Sequence, residues 1–229
     1  MIDGGRSGKV LLARLGRHIP FWDRQIETLI ATHPDSDHIG GFPELLRAYR
    51  VLSVFTNGDT SETETSRLFE TLAAEETGEM QAIARGTEIV FPEGGTLTLE
   101  YPLRPLAEES GTESNEGSIV ARFQFGETSF LLTGDLPGEE KALPEERPVT
   151  VLKVAHHGSK YSSSAAFLER IGPEEAVLSV GENSYGHPDP GVLARLRERS
   201  VLVRRTDEEG DIRYRCLELT SRCTYAPAR

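Results

Sequence analysis

A run of metal-ligand residue types placed directly behind an apolar segment constrains this chain more than any other feature. Residues 26–32 (IETLIAT) predict a buried strand, and HPDSDH follows at residues 33–38, ahead of Gly40, Gly41 and a helix opened by Pro43. A loop at the end of a buried strand turns several side chains toward one point, and glycines let the backbone pass close to it. Four potential ligands within six residues therefore predict a site for two divalent ions.

Two later segments end in the same way. FLLTGD at residues 130–135 is an apolar strand candidate ending in an aspartate, and VTVLKVA at residues 149–155 is followed by HHGS at residues 156–159. The alternative interpretation of HPDSDH is a polar turn, in which the aspartates cap the following helix and the histidines lie on the surface. Because three strand ends carry ligand types, we expect them to converge on a metal site.

The order THPDSDHIGG, LLTGD, KVAHHGS and NSYGHP resembles the metallo-β-lactamase-like domain of the DNA-uptake protein ComEC and its stand-alone relatives. The resemblance extends from MIDGG to RTDEEGDI, residues 1–212. It implies an α/β fold of the metallo-β-lactamase superfamily, a four-layer αββα sandwich with the metal site at one edge. We expect residues 1–229 to form a single hydrolase domain, from which part of the N-terminal strand is missing because MIDGG has the pattern of a strand end.

The same resemblance implies a ligand set of histidines and aspartates for two divalent ions. The implied ligands are His33 and Asp35 for the first ion, Asp37, His38 and His157 for the second, and Asp135 as the bridge. The superfamily usually has histidine at the position of Asp35, and its third histidine ligand has no counterpart here, where Asn115 or Ser118 lies nearest in order. Carboxylate and amide oxygens are harder ligands than imidazole, so manganese is the favoured metal and zinc the alternative.

Catalytic and substrate-binding roles also follow from the resemblance. Asp37 would orient the attacking water, and His156 would contact the phosphate or donate a proton, although which of His156 and His157 is the metal ligand stays open. The side chains expected to bind substrate are Asn115, Ser118, Lys153, Ser159, Tyr185 and His187. For Lys153 the alternative is an ordinary solvated lysine, and for residues 183–188 it is a plain turn before a helix capped at Asp189.

Three functions stay open at this point. The residues by themselves indicate metal-assisted hydrolysis, and the resemblance implies a phosphodiesterase or nuclease that acts on DNA through a hydroxide held by two metal ions. The first alternative is hydrolysis of a small or cell-wall phosphoester. The second is a non-catalytic module that docks against a membrane channel in a bacterial DNA-uptake complex, which would place the chain outside the cytoplasm.

The net charge of −12 is unevenly spread. Residues 59–116 hold fourteen carboxylates against three arginines, whereas residues 195–229 hold nine arginines against six carboxylates. An acidic protein is a poor general binder of polyanions, so a DNA substrate requires attraction from the basic end or from the metals. The chain has no apolar run long enough to cross a bilayer, and Cys216 and Cys223 are expected to be ordinary thiols because they are too few for a disulfide framework.

Strand and helix patterns alternate, which supports the α/β class. The sequence predicts a helix over residues 64–76 with a capping box formed by Ser61 and Glu64, and a hairpin turn at residues 125–128. A helix is predicted after Asp189, and a terminal hairpin is predicted around residues 209–210.

Overall fold

The computed structural model describes residues 1–106, 114–143 and 147–227, and the chain divides into two compact units. The first unit comprises Met1–Ala84 and Pro102–Ile119, and the second comprises Arg85–Tyr101 and Val120–Arg229. The single domain expected over residues 1–229 stays a prediction. Among the described residues, no helix combines the length and the apolar character needed to cross a membrane.

The first unit consists of helices packed on short parallel strands. Strands β2, β4 and β5 pair side by side, and β1 pairs with β3. Its core is built from side chains such as Leu29, Phe42, Leu45 and Phe69, all of them buried. Its elements are α1 Gly8–Leu15, β1 Gln25–Ile26, β2 Leu29–Ile30, α2 Ser36–Ile39, α3 Phe42–Ala48, β3 Arg50–Val51, β4 Val54–Thr56, α4 Glu64–Thr77, β5 Gln81–Ala82 and a 3-10 helix at Ser114–Gly117.

Helix α4 confirms the predicted helix, but its predicted cap was wrong. The N-cap is Thr63, whose hydroxyl accepts a hydrogen bond from the Ser66 amide at 3.2 Å. Ser61 lies two residues too early for its oxygen to reach the first turn, and its hydroxyl donates to Thr63 instead. Gly78 ends the helix with φ +80°, a conformation that glycine adopts without steric cost.

The second unit is organised around a seven-stranded sheet in the order β12-β11-β10-β9-β8-β7-β6. Strands β6 to β9 pair antiparallel, and β9 to β12 pair parallel. Phe125 pairs with Thr128 across a tight turn, which confirms the predicted hairpin. Its elements are β6 Glu88–Val90, β7 Thr96–Tyr101, β8 Val120–Phe125, β9 Thr128–Leu132, α5 Glu139–Ala142, β10 Val151–Lys153, a 3-10 helix at Ala155–Gly158, α6 Ala165–Ile171, β11 Glu175–Leu178, α7 Pro190–Glu198, β12 Leu202–Arg205, α8 Thr206–Glu209, β13 Tyr214–Arg215 and β14 Thr224–Tyr225.

Two predictions about the C-terminal segment were wrong. Strand β12 pairs with β11 and is followed by α8, so the chain does not turn back at residues 209–210, and the antiparallel pair is β13 with β14. Arg215 pairs with Thr224, which brings the next residues, Cys216 and Cys223, to a Cα–Cα distance of 4.2 Å. The two cysteines are joined in a disulfide rather than left as ordinary thiols.

Candidate functional site

In the first unit, the candidate ligands surround the short helix α2. His33 lies between strand β2 and this helix, Asp35 occupies its N-cap position, and His38 lies within it. The His33 and His38 rings are buried with their centroids 4.1 Å apart, and the His33 Nε2 lies 3.7 Å from a carboxylate oxygen of Asp35. Asp37 is partly exposed, 3.8 Å from the Arg6 guanidinium. The structure therefore brings His33, Asp35 and His38 together within this unit.

Asp3, which the sequence did not single out, orients His38. Ile2 forms a parallel bridge with Ile30 of β2, which places the Asp3 carboxylate beside Thr32. One carboxylate oxygen lies 2.7 Å from the His38 Nδ1 and also accepts the Thr32 hydroxyl, and the other accepts the Thr32 amide at 2.9 Å. With its Nδ1 proton donated to Asp3, His38 presents the lone pair of Nε2, which leaves this atom available to a metal.

The Thr32 hydroxyl also fixes the tautomer of His33. A hydroxyl has one proton, and Thr32 gives it to Asp3, so its oxygen accepts from the His33 Nδ1 at 2.9 Å. The Ser118 hydroxyl lies 3.3 Å from the same nitrogen. The Nε2 of His33 is therefore also available to a metal. Burial acts to raise the pKa of Asp3, but the hydrogen bonds and charge of His38 and the Thr32 amide outweigh it and lower this pKa.

Of the two positions nearest to the absent third histidine, Ser118 is the one in contact with His33. Asn115 lies one turn earlier, in the 3-10 helix, where its carbonyl accepts a hydrogen bond from the Ser118 amide at 3.1 Å. The substrate-binding roles of both residues stay predictions.

In the second unit, two strand ends are tied together at Asp135. The Thr133 hydroxyl donates to the Lys153 carbonyl at 2.6 Å, and the Lys153 amine donates to the Gly134 carbonyl at 3.2 Å. The His156 amide donates to the same carbonyl. Asp135 is buried at this junction, and Lys153, predicted to bind substrate, holds the loop that carries it.

His156 and His157 both have left-handed backbone, at φ +48° and +54°, which directs both rings toward Asp135. The His157 Nε2 is 3.6 Å and the His156 Nε2 is 4.0 Å from the same Asp135 oxygen. The His157 Nδ1 donates to the Ser179 carbonyl at 2.6 Å, so its Nε2 is the atom left for a metal. This difference favours His157 over His156 as the ligand.

The loop before α7 completes the surroundings of His156. The His187 ring lies 5.6 Å from that of His156, and the exposed Tyr185 ring stacks on His187 at 6.1 Å. Asn183 brackets the turn by bonding to the backbone amide and carbonyl of His187. Burial, reinforced by the nearby His156 and His157, lowers the pKa of His187. Asp189 caps α7, as predicted.

Ser159 occupies a different environment from the other predicted substrate contacts. It is buried, and its hydroxyl accepts a hydrogen bond from the Tyr161 amide at 3.3 Å. The structure thus gives this side chain a role in shaping the loop after His157, and its contact with substrate stays a prediction.

The donor chemistry of both units fits divalent metal ions. Each of His33, His38 and His157 has its Nδ1 anchored by an oxygen, which aims Nε2 and raises its basicity, and carboxylates lie beside them.

Residues 1–182 match the metallo-beta-lactamase superfamily, and the chain belongs to this superfamily, as its motifs indicated. The superfamily typically binds two divalent metal ions, and the fold is typical of metal-dependent hydrolases. The chain is 35% identical over 200 residues to "ComE operon protein 3" of Bacillus subtilis, covering 84% of this chain and 25% of the relative. It is 32% identical over 197 residues to "Competence protein ComA" of Neisseria gonorrhoeae, covering 83% of this chain and 25% of the relative. The chain thus spans about a quarter of the length of these relatives.

Solved structures confirm the fold. The metallo-beta-lactamase fold protein YhfI of Bacillus subtilis aligns with a TM-score of 0.56 at 17% identity, covering 90% of this chain and 83% of that one. Tm1679, a metal-dependent hydrolase of the beta-lactamase superfamily, aligns with a TM-score of 0.55 at 12% identity, covering 90% and 84%. The predicted α/β metallo-β-lactamase fold is therefore confirmed.

Proposed function

We propose that this chain is a metal-dependent phosphodiesterase that hydrolyses DNA. The observation that carries the proposal is the anchoring of three histidines through Nδ1, which leaves Nε2 of each as a metal-binding atom. The ligands in this proposal are His33, Asp35, Asp37, His38, Asp135 and His157.

The chain's own residues would divide the catalytic work between orientation and proton transfer. The bound ions would supply Lewis acidity toward water and the phosphoryl oxygens. The Asp37 carboxylate, partly exposed beside the Arg6 guanidinium, would orient the attacking water. His156 is directed toward Asp135, and its Nδ1 donates to no carbonyl among the described residues, unlike that of His157; it would hold a proton for the leaving oxygen.

Manganese is the proposed metal. Asp35 provides a carboxylate where the superfamily usually has a histidine, and its oxygen lies 3.7 Å from the His33 Nε2. The harder ligand set supports manganese over zinc, which stays the alternative.

DNA is the proposed substrate because the two relatives are named for competence and for the ComE operon. The arginine-rich C-terminal segment supports attraction of a phosphate backbone. The disulfide between Cys216 and Cys223 supports a location outside the cytoplasm, since disulfides persist in oxidising compartments.

The net charge of −12 favours a second candidate, a small or cell-wall phosphodiester, because such a substrate meets less repulsion than a polyanion. Docking to a membrane channel without catalysis is the third candidate, and the greater length of the relatives supports it.

The test is hydrolysis by metal-stripped protein after manganese, magnesium or zinc is restored. Plasmid DNA, single-stranded DNA and a generic phosphodiester would be compared, with Asp37→Ala as the inactive variant and the exposed Asp23→Ala as the matched control. We expect manganese to restore cleavage of DNA in the native chain and in the control, with at least a hundredfold loss in Asp37→Ala. Cleavage of the small ester without DNA would support the second candidate, and absence of cleavage with bound metal would support the third.

A further inference from the structure

A cavity of about 710 Å³ lies at the C-terminal hairpin, which we define as residues 213–227. Its walls come from both strands of the hairpin, and Arg213 and Arg215 line it together with Tyr225 and Pro227. None of the residues assigned to metal binding or catalysis lines this cavity. The cavity therefore includes none of the candidate metal ligands.

Side-chain and backbone contacts fasten the hairpin to the large sheet of its own unit. The Tyr214 ring packs edge-on against Phe130 at 5.2 Å, and its hydroxyl donates to Glu175 at 2.9 Å. The Cys223 amide donates to the Thr128 hydroxyl at 2.8 Å, and the disulfide closes the turn. A wall fixed in this way loses little conformational entropy when a ligand binds.

Outside the cavity, several arginines of the C-terminal segment form ion pairs with carboxylates. Arg204 is paired with Glu175, Arg205 with Asp207, and Arg222 with Glu174; these pairs neutralise most of the local arginines.

Arg213 and Arg215 differ, because neither forms an ion pair within the described part of the chain. One nitrogen of Arg213 donates to the Pro227 carbonyl at 2.6 Å, and its buried Nε makes no hydrogen bond to any described residue. Arg213 and Arg215 flank Tyr214, so they lie on the face of the strand opposite to the one that packs on the sheet. Two arginine forks on one face match the geometry of phosphate oxygens.

The hairpin and the second unit's candidate ligands lie toward opposite ends of the strands. Thr128 and Glu175, which anchor the hairpin, begin β9 and β11, whereas Asp135 follows the end of β9. Strand β9 spans five residues, from Thr128 to Leu132, a rise of roughly 13 Å and about four base pairs of duplex. A nucleic acid could contact both places at once, but a small ester could not.

We propose that the hairpin cavity is a binding site for the phosphate backbone of DNA, at the opposite end of strand β9 from Asp135. The choice of DNA over another polyanion rests on the proposed function. The site itself rests on the cavity and on two arginines that form no ion pair with a described residue, so it can be tested without turnover.

The experiment measures binding of a fluorescently labelled 20-base-pair duplex to the full chain in metal-free buffer over a range of salt concentrations. The test variant is Arg213→Ala/Arg215→Ala, and the control Arg50→Ala/Arg197→Ala removes two exposed arginines outside the cavity. We expect the test variant to lose at least tenfold in affinity. The slope of log affinity against log salt concentration should become shallower by about two, since each phosphate contact contributes about 0.9. The control should change affinity by less than threefold.

Arg213→Lys/Arg215→Lys should fall between native and alanine protein, because lysine keeps the charge but not the bidentate geometry. Equal losses in the test variant and the control would overturn the proposal, and so would tight binding of poly-glutamate at the cavity without binding of DNA. The rate on a small phosphodiester should be unchanged in the test variant. Arginine-dependent binding without DNA cleavage would refute the proposed function alone, whereas cleavage with unaltered binding in the test variant would refute this site alone.

Discussion

At the residue scale, the important feature is that an oxygen contacts the Nδ1 of three candidate histidines and orients their rings even without a bound metal. Asp3 and Thr32 hold His38 and His33 by Nδ1, and the Ser179 carbonyl holds His157. The free energy needed to select one tautomer and one ring orientation is therefore spent during folding. Metal binding does not require it again.

Asp3→Asn should weaken metal binding by about tenfold to a hundredfold. Asparagine tolerates the left-handed backbone of residue 3, but its amide would donate to the His38 Nδ1 and shift the proton of that ring to Nε2, the metal-binding atom. Competition with a chelator measures the affinity, and nitrogen NMR of the histidines reads the tautomer. The control is Asp23→Asn; equal affinities in the two variants would contradict the prediction.

Glu139 should make the chain less stable as pH rises toward neutrality. Its carboxylate is fully buried and accepts the Ser163 amide at both oxygens, 2.9 and 3.1 Å away, but burial outweighs these bonds and raises its pKa from 4.5 to about 7. Between these values the native state binds more protons than the unfolded state, so the free energy of unfolding falls with rising pH, by up to about 3 kcal/mol.

Glu139→Gln should remove this decline, because its side chain cannot ionise and can still accept from the Ser163 amide. Urea unfolding at pH 5 and pH 8 measures the effect, with the exposed Glu93→Gln as control. The interpretation fails if Glu139→Gln retains the same pH dependence as the native chain.

The sequence identified candidate ligands more readily than the residues that orient them. HPDSDH, LLTGD and HHGS were visible because ligand types followed apolar strands. Asp3 was not, because its role depends on the bridge between Ile2 and Ile30, a pairing that no local pattern encodes. MIDGG was the available signal: an aspartate at a strand end, next to glycines.

At the element scale, short connections after parallel strands position the candidate ligands of the second unit. The hydroxyl of Thr133 ties the end of β9 to that of β10, and left-handed backbone at His156 and His157 turns both rings the same way. Gly158, at φ +82°, closes this turn against Leu178 and Pro188.

Gly158→Ala should therefore lower the free energy of unfolding by about 1–3 kcal/mol. A Cβ at this position would lie 2.7 Å from a Leu178 methyl carbon and 2.9 Å from Pro188, in a backbone conformation that alanine disfavours. Gly181→Ala is the control, since its added Cβ meets no atom within 4 Å. Denaturant titration of both variants gives the comparison, and a loss for Gly158→Ala no larger than that of the control would refute the packing argument.

Elements with a local signal were predicted well, and those fixed by distant pairing were not. Phe125–Thr128 and the Asp189 cap carry their own turn and cap chemistry. The predicted terminal hairpin was wrong because β12 pairs in parallel with β11 at the edge of the sheet. The alternation of residues within β12 does not indicate which strand it pairs with.

At the scale of the whole molecule, metal binding should raise the stability of the folded chain. A metal that binds only the native state stabilises that state by about 2.7 kcal/mol when the free metal concentration is a hundred times the dissociation constant. We expect chelation to lower the melting temperature by at least about 5 °C and manganese to restore it. The melting temperature of Asp37→Ala should respond less to manganese, and an unchanged melting temperature after verified metal removal would contradict the proposed ligand set.

The fold as a whole was predicted through the order of four motifs, not through individual elements. That order is informative because the superfamily places its ligands after successive strands; the match over residues 1–182, which contains the first three motifs, confirms the superfamily. The division of the chain into two compact units had no such signal, since the segment 85–101 belongs to a different unit from the residues on either side of it.

The covalent link between Cys216 and Cys223 makes the redox history of a sample an experimental variable. Recombinant protein produced in a reducing bacterial cytosol would start with both sulfurs reduced, and the hairpin turn would lose its crosslink. Batches should therefore be checked by mass spectrometry after thiol alkylation, because two preparations of identical sequence could differ in how they hold a polyanion.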